Sequence, residues 1–138
     1  MLHKLSLNEV DKVLFEQGTD LYKNGALNKA LPIFESLSQA NPESPMLTAT
    51  LANLYWDLGR IDIATEFFYK AVKLGPKSEK ISRGLMHILW EQDKKTAAIK
   101  EVQRFLKEGN ASESYIEIAK EVNLKMNANI SIPENKLK

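Results

Sequence analysis

At 138 residues, 43% of them hydrophobic, the chain is long enough for one domain that buries most of its apolar surface. It carries 19 basic against 18 acidic residues, a net charge of +1, so no overall field draws it to nucleic acid or to an anionic membrane. The absence of cysteine excludes disulfides, thiolate nucleophiles and thiolate zinc sites together.

The opening segment MLHKLSLNEVDKVLF has no uninterrupted apolar core followed by a small-residue cleavage site, and no later apolar run approaches the roughly 20 residues that span a bilayer. The expectation is a soluble, cytoplasmic protein with no membrane partner. Ser6 and Glu9 have capping-box spacing, and Leu5 and Val10 are placed as a hydrophobic staple, which predicts a first helix starting near Leu7.

From there the chain repeats with a period of about 34 residues, the length of a two-helix unit. Gly18 to Gly25 aligns with Ala52 to Gly59 and with Met86 to Asp93; downstream, Ala30, Ala64 and Ala98 coincide, then Phe34, Phe68 and Val102, then Leu37, Ala71 and Phe105. Pro42 and Pro76 close the first two units, and Asn110 takes that place in the third. The repeats lie near 11–44, 45–78 and 79–112.

Each unit holds two amphipathic helical patterns around a break. In the second, Leu47, Leu51, Leu54, Tyr55 and Leu58 recur at helical spacing before Gly59, and Ala64, Phe67, Phe68, Ala71 and Val72 follow it. Pro32 is out of keeping with this pattern. It falls about one turn into the second helix, where a missing donor normally costs up to roughly 3 kcal/mol, so a shifted start capped by Asn28 or a small kink is expected.

After the third unit Ser112 can cap a seventh helix with an apolar stripe of Tyr115, Ile118, Ala119, Val122 and Met126. Glu113, Glu117, Lys120 and Glu121 make its other face polar, as a helix closing an open stack requires. The boundaries are then one domain over 1–127, with the capping helix at about 112–127 and a disordered tail over 128–138.

The period, the two-helix unit and these positions resemble the tetratricopeptide repeat. The second unit matches with Leu51, Tyr55, Ala64, Phe68, Ala71 and Pro76, with Ala52 in place of the usual glycine; the first matches with Gly18, Ala30, Phe34 and Pro42. The third keeps Leu85 and Ala98 but sets Met86 at a small-residue position and lacks the proline. The resemblance implies an all-α fold, a right-handed superhelical array of three hairpins plus a C-terminal capping helix, about seven helices in all.

It also bears on the stretch NLYWDLGR, Asn53 to Arg60, which sets Tyr55 beside Trp56. Adjacent helical residues diverge by about 100°, so one flat contact cannot bury both rings. By the resemblance Tyr55 packs inside its hairpin, while Trp56, with Tyr22 one period before it and Trp90 one period after, faces the concave groove as an aromatic ladder. Phe15, Thr19, Asn53, Lys80, Arg83 and His87 fall at neighbouring groove positions, a mixture suited to an extended peptide or a partner's helix. Some family members clamp a terminal carboxylate with Lys, Asn, Asn, Lys and Arg; the matching places here hold Phe15, Thr19, Thr50, Lys80 and Gly84, so only Lys80 agrees.

The expected function is therefore a non-catalytic protein-interaction module. Alternatives are a small chaperone like those of bacterial type III secretion, or an immunity-type protein sequestering one dedicated partner. The same exposed rings would also serve a homodimer contact. No cofactor or metal is expected. The histidines, His3 and His87, have no second ligand of fixed placement, Glu113, Glu117 and Glu121 read as a solvated helix face, and Gly18 and Gly25 lack the residues of a phosphate loop. RNA binding through the groove rings is disfavoured by near-zero net charge and by Asp57 and Glu91.

Overall fold

Seven α-helices and no strand make up the described residues of the computed structural model, 2–133, with side chains described from Glu9 onward. They are α1 (Leu2–Lys23), α2 (Leu27–Ala40), α3 (Pro45–Asp57), α4 (Ile61–Leu74), α5 (Glu79–Glu91), α6 (Lys95–Glu108) and α7 (Glu113–Met126). The chain divides at Lys70/Ala71 into two compact units, an N-terminal and a C-terminal one.

The repeat period sets the helix ends as well as their faces. Ser44, Ser78 and Ser112 each precede a helix in extended conformation, and their hydroxyls accept from the N–H groups of Leu47, Ile81 and Tyr115 at 3.2, 3.3 and 3.2 Å. Each hydroxyl satisfies one donor that a helix start leaves open, typically a contribution of about 1 kcal/mol. The turns after α1, α3 and α5 repeat too: Gly25 (φ 79°), Gly59 (φ 81°) and Asp93 (φ 60°) all adopt the left-handed conformation. Two of these three are glycine because that region is open to it without a Cβ clash.

Packing follows the columns of the repeat. Ala30, Ala64 and Ala98 are fully buried, and Phe34, Phe68 and Val102 are 1% exposed. Burying a side chain such as Phe34 stabilises by roughly 1.5–3 kcal/mol. In the N-terminal unit Gly18 lets α1 approach α2 so closely that a Cβ there would come within 2.8 Å of the Phe34 ring. In the C-terminal unit α5 and α6 enclose Leu85, Ile88, Leu89 and Phe105, and α7 adds Tyr115, Ile116 and Ala119.

Three local expectations change. Helix α1 starts at Leu2 rather than near Leu7; the side chains of His3, Leu5 and Ser6 lie outside those described. Helix α2 starts at Leu27 behind Ala26 with no side-chain cap, so Asn28 is not the cap and Pro32 lies inside the helix. Pro32 and Asn28 are both exposed, so water can reach the Asn28 carbonyl that the proline leaves without a helical donor. Part of the expected tail is placed: Ile130 is only 4% exposed, and Asn123 holds its backbone. Residues 134–138 lie outside the described ones.

Candidate functional site

In the N-terminal unit the helical spacing of Phe15, Thr19 and Tyr22 brings all three to one face of α1, and each is half-buried. Phe15 meets Phe34 edge-on at 5.8 Å and walls a surface hollow of about 300 Å³ with Leu37, Met46 and Leu47. Beside it Asn41 Nδ2 donates to Asp11 Oδ2 at 3.1 Å, tying the α2–α3 link to α1. The Tyr22 hydroxyl donates to Asp57 Oδ2 at 2.6 Å and so joins α1 to the end of α3. Burial, with the hydrogen bond and charge of Asp57, holds the Tyr22 phenol above its usual range.

The two adjacent rings of α3 separate as expected. Tyr55 is 8% exposed, stacks on Phe67 of α4 at 5.4 Å and donates its hydroxyl to Glu35 Oε2 of α2 at 2.9 Å. Trp56 is half-buried with one edge on Phe68 at 5.8 Å, leaving part of its indole surface to solvent; Asn53, one turn back, is also half-buried. The N-terminal unit thus brings Phe15, Thr19 and Tyr22 together on α1, with Asn53 and Trp56 on α3.

In the C-terminal unit His87, exposed, and Trp90, half-buried, stand with Met86 on α5 and wall a cavity of about 210 Å³ closed by Ile118, Val122 and Lys125 of α7. Lys80 is exposed. Arg83 has other engagements: it donates to Glu79 Oε2 through Nε and Nη2 (3.2 and 2.9 Å), contacts the Ser114 hydroxyl, and lies 5.7 Å over the Tyr115 ring. Glu79 also accepts from the N–H and hydroxyl of Ser112 at 2.7 and 2.8 Å. Burial raises the Glu79 carboxyl, but the two Ser112 bonds and the Arg83 guanidinium outweigh it and hold the group below its usual range. Arg83 and Glu79 therefore fasten α7 to α5.

Deeper in the same unit lies a polar cluster that periodicity does not reveal. Ser82 is fully buried and donates to Glu101 Oε2 at 2.6 Å, with the Tyr115 hydroxyl 2.8 Å away. Arg104 grips both oxygens of Glu101, Nε to Oε1 at 2.9 Å and Nη2 to Oε2 at 2.7 Å, and donates to the Pro76 carbonyl at 3.0 Å. Burial is the main cause that pushes the Tyr115 phenol up to about 12, with the charges of Glu101 and Glu79 adding to it against Ser82 and Arg104. The available signal was a charge in an apolar column, since Glu101 stands where the earlier repeats have Ile33 and Phe67. Leu124 was missed as well. It lies one period beyond Trp90, in the column of Tyr22 and Trp56, and is 85% exposed.

Among the described residues no group of three or more His, Asp or Glu side chains could hold a metal ion, and no helix is long and apolar enough to cross a membrane.

Comparison with known proteins agrees with the repeat. Residues 21–68 match the family model described as Tetratricopeptide repeat. A probable assembly chaperone of rpl4 from Emericella nidulans is 34% identical over 96 residues, which is 64% of this chain and 25% of that protein. The chain therefore spans about a quarter of the length of this curated relative. Among solved structures, the first TPR of Spaghetti (RPAP3), bound to the HSP90 peptide SRMEEVD, superposes with a TM-score of 0.70 at 20% identity, covering 86% of this chain and 96% of that one. The type III secretion translocator chaperone SycD of Yersinia enterocolitica gives a TM-score of 0.67 at 15% identity, covering 90% and 96%. At these identities the structural likeness speaks for the fold alone. The family match over residues 21–68, the in-phase columns of the repeat and the hairpin order of the seven described helices together identify a tetratricopeptide-repeat fold.

Proposed function

We propose that this chain is a non-catalytic interaction module that holds an extended peptide or a helix of a partner protein against the open side of its hairpins' first helices. One observation carries the reading. Tyr22, Trp56 and Trp90 recur in one column of the repeat and keep part of their rings at the surface, whereas Tyr55 and Leu89 in the adjacent column are buried. Rigid aromatic rings at a surface are the residues that most often anchor interfaces. Phe15, Thr19 and Asn53 flank them in the N-terminal unit, and Lys80 and His87 in the C-terminal unit, where they would orient a partner's backbone and charges.

The neighbour bound to an HSP90 peptide and the relative named as an assembly chaperone support a protein partner and a role in the cytoplasm. The second reading, a chaperone dedicated to one client, is favoured by that relative in particular. The acidic tail of the HSP90 peptide is not the proposed ligand, because only Lys80 stands at a carboxylate-clamp position.

The test is affinity capture from a lysate of the source organism, comparing the wild type with a Tyr22→Ala, Trp56→Ala, Trp90→Ala variant shown by circular dichroism to be folded. A protein retained by the wild type and lost with the variant supports the reading. Identical captures would move binding to another face.

A further inference from the structure

Helix α7 stands in register with the first helix of a fourth repeat, since Ser112, Tyr115 and Val122 lie one period beyond Ser78, Ile81 and Ile88. In that register Asn123 takes the place of Tyr55 and Leu89. Tyr55 uses this place to stack on the helix after it, α4. Helix α7 leads instead into a segment outside any helix. Asn127 turns the chain in the left-handed conformation (φ 53°), and the segment returns to Asn123. The Asn123 Nδ2 donates to the Ile130 carbonyl at 2.9 Å, and the Ile130 N–H donates to Asn123 Oδ1 at 2.8 Å.

This pair of bonds has a definite chemistry. A carboxamide offers one donor and one acceptor side by side, the complement of the N–H and C=O of a single extended residue. It reads backbone rather than side chain, so selection falls to the pocket that receives the side chain, and here the side chain is the buried Ile130. The segment fills its site incompletely. Asn129 and Ser131 are exposed, and a cavity of about 420 Å³ remains between the segment and α6, lined by Gln103, Leu106 and Lys107 on one side and by Ser131 and Pro133 on the other.

We propose that Asn123 and the adjoining face of α6 form a binding site for an extended apolar segment, which residues 128–133 occupy as an internal ligand. The fitting partner is an extended stretch of protein with an aliphatic residue at the Asn123 bonds and a large apolar residue one place later. That second residue enters the cavity that Ser131 leaves open, and so displaces the internal segment. The site lies apart from the aromatic column and does not depend on the function proposed for it.

The test uses the chain of residues 1–138 and two labelled synthetic peptides, one a copy of residues 127–133 and one carrying Ser131→Phe, followed by fluorescence anisotropy. The copy is expected to bind an Ile130→Glu variant at least tenfold more tightly than the wild type, whose own segment competes. The Ser131→Phe peptide is expected to bind more tightly than the copy, and both are expected to lose binding when Asn123→Ala is added. Equal affinity for wild type and Ile130→Glu, indifference to Asn123→Ala, or no binding at all would overturn the proposal. Should Ile130→Glu lose helicity, amide exchange decides on the wild type. An Ile130 N–H protected there and released by Asn123→Ala supports the site, and an unprotected one contradicts it.

Discussion

The two units build the same hairpin and fasten it by different means. In the N-terminal unit the polar ties are separate hydrogen bonds laid over an apolar core: Tyr22 to Asp57 at the surface, and Tyr55 to Glu35 and Asn41 to Asp11 part-buried. In the C-terminal unit the ties are ion pairs that share partners: Arg104 on Glu101 with the buried Ser82 and Tyr115 behind it, and Arg83 on Glu79 with Ser112 nearer the surface. The difference follows from what each unit must hold. Helix α7 has no described second helix of its own hairpin to pack against, and polar clamps on α5 and α6 supply fixed geometry that apolar contact alone does not give. The N-terminal unit has no such helix to fasten and leaves its rings partly open.

The strongest way to break this comparison is to remove the buried carboxylate. Glu101→Ala leaves the Arg104 guanidinium and the Ser82 hydroxyl without their partner and is expected to cost about 3 kcal/mol in urea unfolding. The corresponding cut in the N-terminal unit, Asp57→Ala, removes an exposed hydrogen bond and is expected to cost about 1 kcal/mol or less. Equal losses would remove the distinction.

Next in size is Pro32→Ala, which restores a backbone donor inside α2 while giving up the restriction proline places on the unfolded chain. A net gain of about 1–2 kcal/mol in thermal unfolding is expected. The clamp on α7 should also respond to acid. The Glu79 carboxyl titrates lower in the folded chain than in the unfolded one, so its stabilisation is fully present above the ordinary carboxylate range and is lost as pH falls through its folded value. Below that range the amides of α7 should lose protection relative to their intrinsic exchange rates in the wild type, whereas a Glu79→Gln variant should show a flatter acid response. The smallest effect is expected from Asp93→Gly, which relieves a left-handed aspartate at the turn where the other repeats have Gly25 and Gly59. A gain of about 0.5 kcal/mol would fit, and a loss would mean that the Asp93 side chain contributes more to the turn than its backbone costs.

What was legible in the sequence was periodic. The alanine and phenylalanine columns, the hairpin breaks, the Ser112 cap and the parting of Tyr55 from Trp56 all follow from the repeat period and helical geometry, and each is seen in the fold. The Ser44 and Ser78 caps carried the same period and could have been read in the same way. What was illegible depends on pairs that no repeat specifies. Ser82 reaches Glu101 and Tyr115 across 19 and 33 residues, Arg83 is engaged by Glu79 and Ser114, and Asn123 holds Ile130 beyond the last helix. Arg83 shows the consequence for the candidate site. A groove position in the alignment says where a side chain starts, whereas its ion partners determine where it ends.

A Trp56→Ala chain decides between the proposed binding surface at Trp56 and a role for that ring in the core alone. Thermal unfolding is followed by circular dichroism, and affinity is measured for the partner protein that the wild type captures. The expected result is a folded variant whose melting temperature falls by only a few degrees, with binding weakened roughly thirtyfold, the loss of an anchor worth about 2 kcal/mol. A variant that loses its helicity, or one that stays folded and binds as tightly as the wild type, would contradict the proposal and return Trp56 to packing against Phe68.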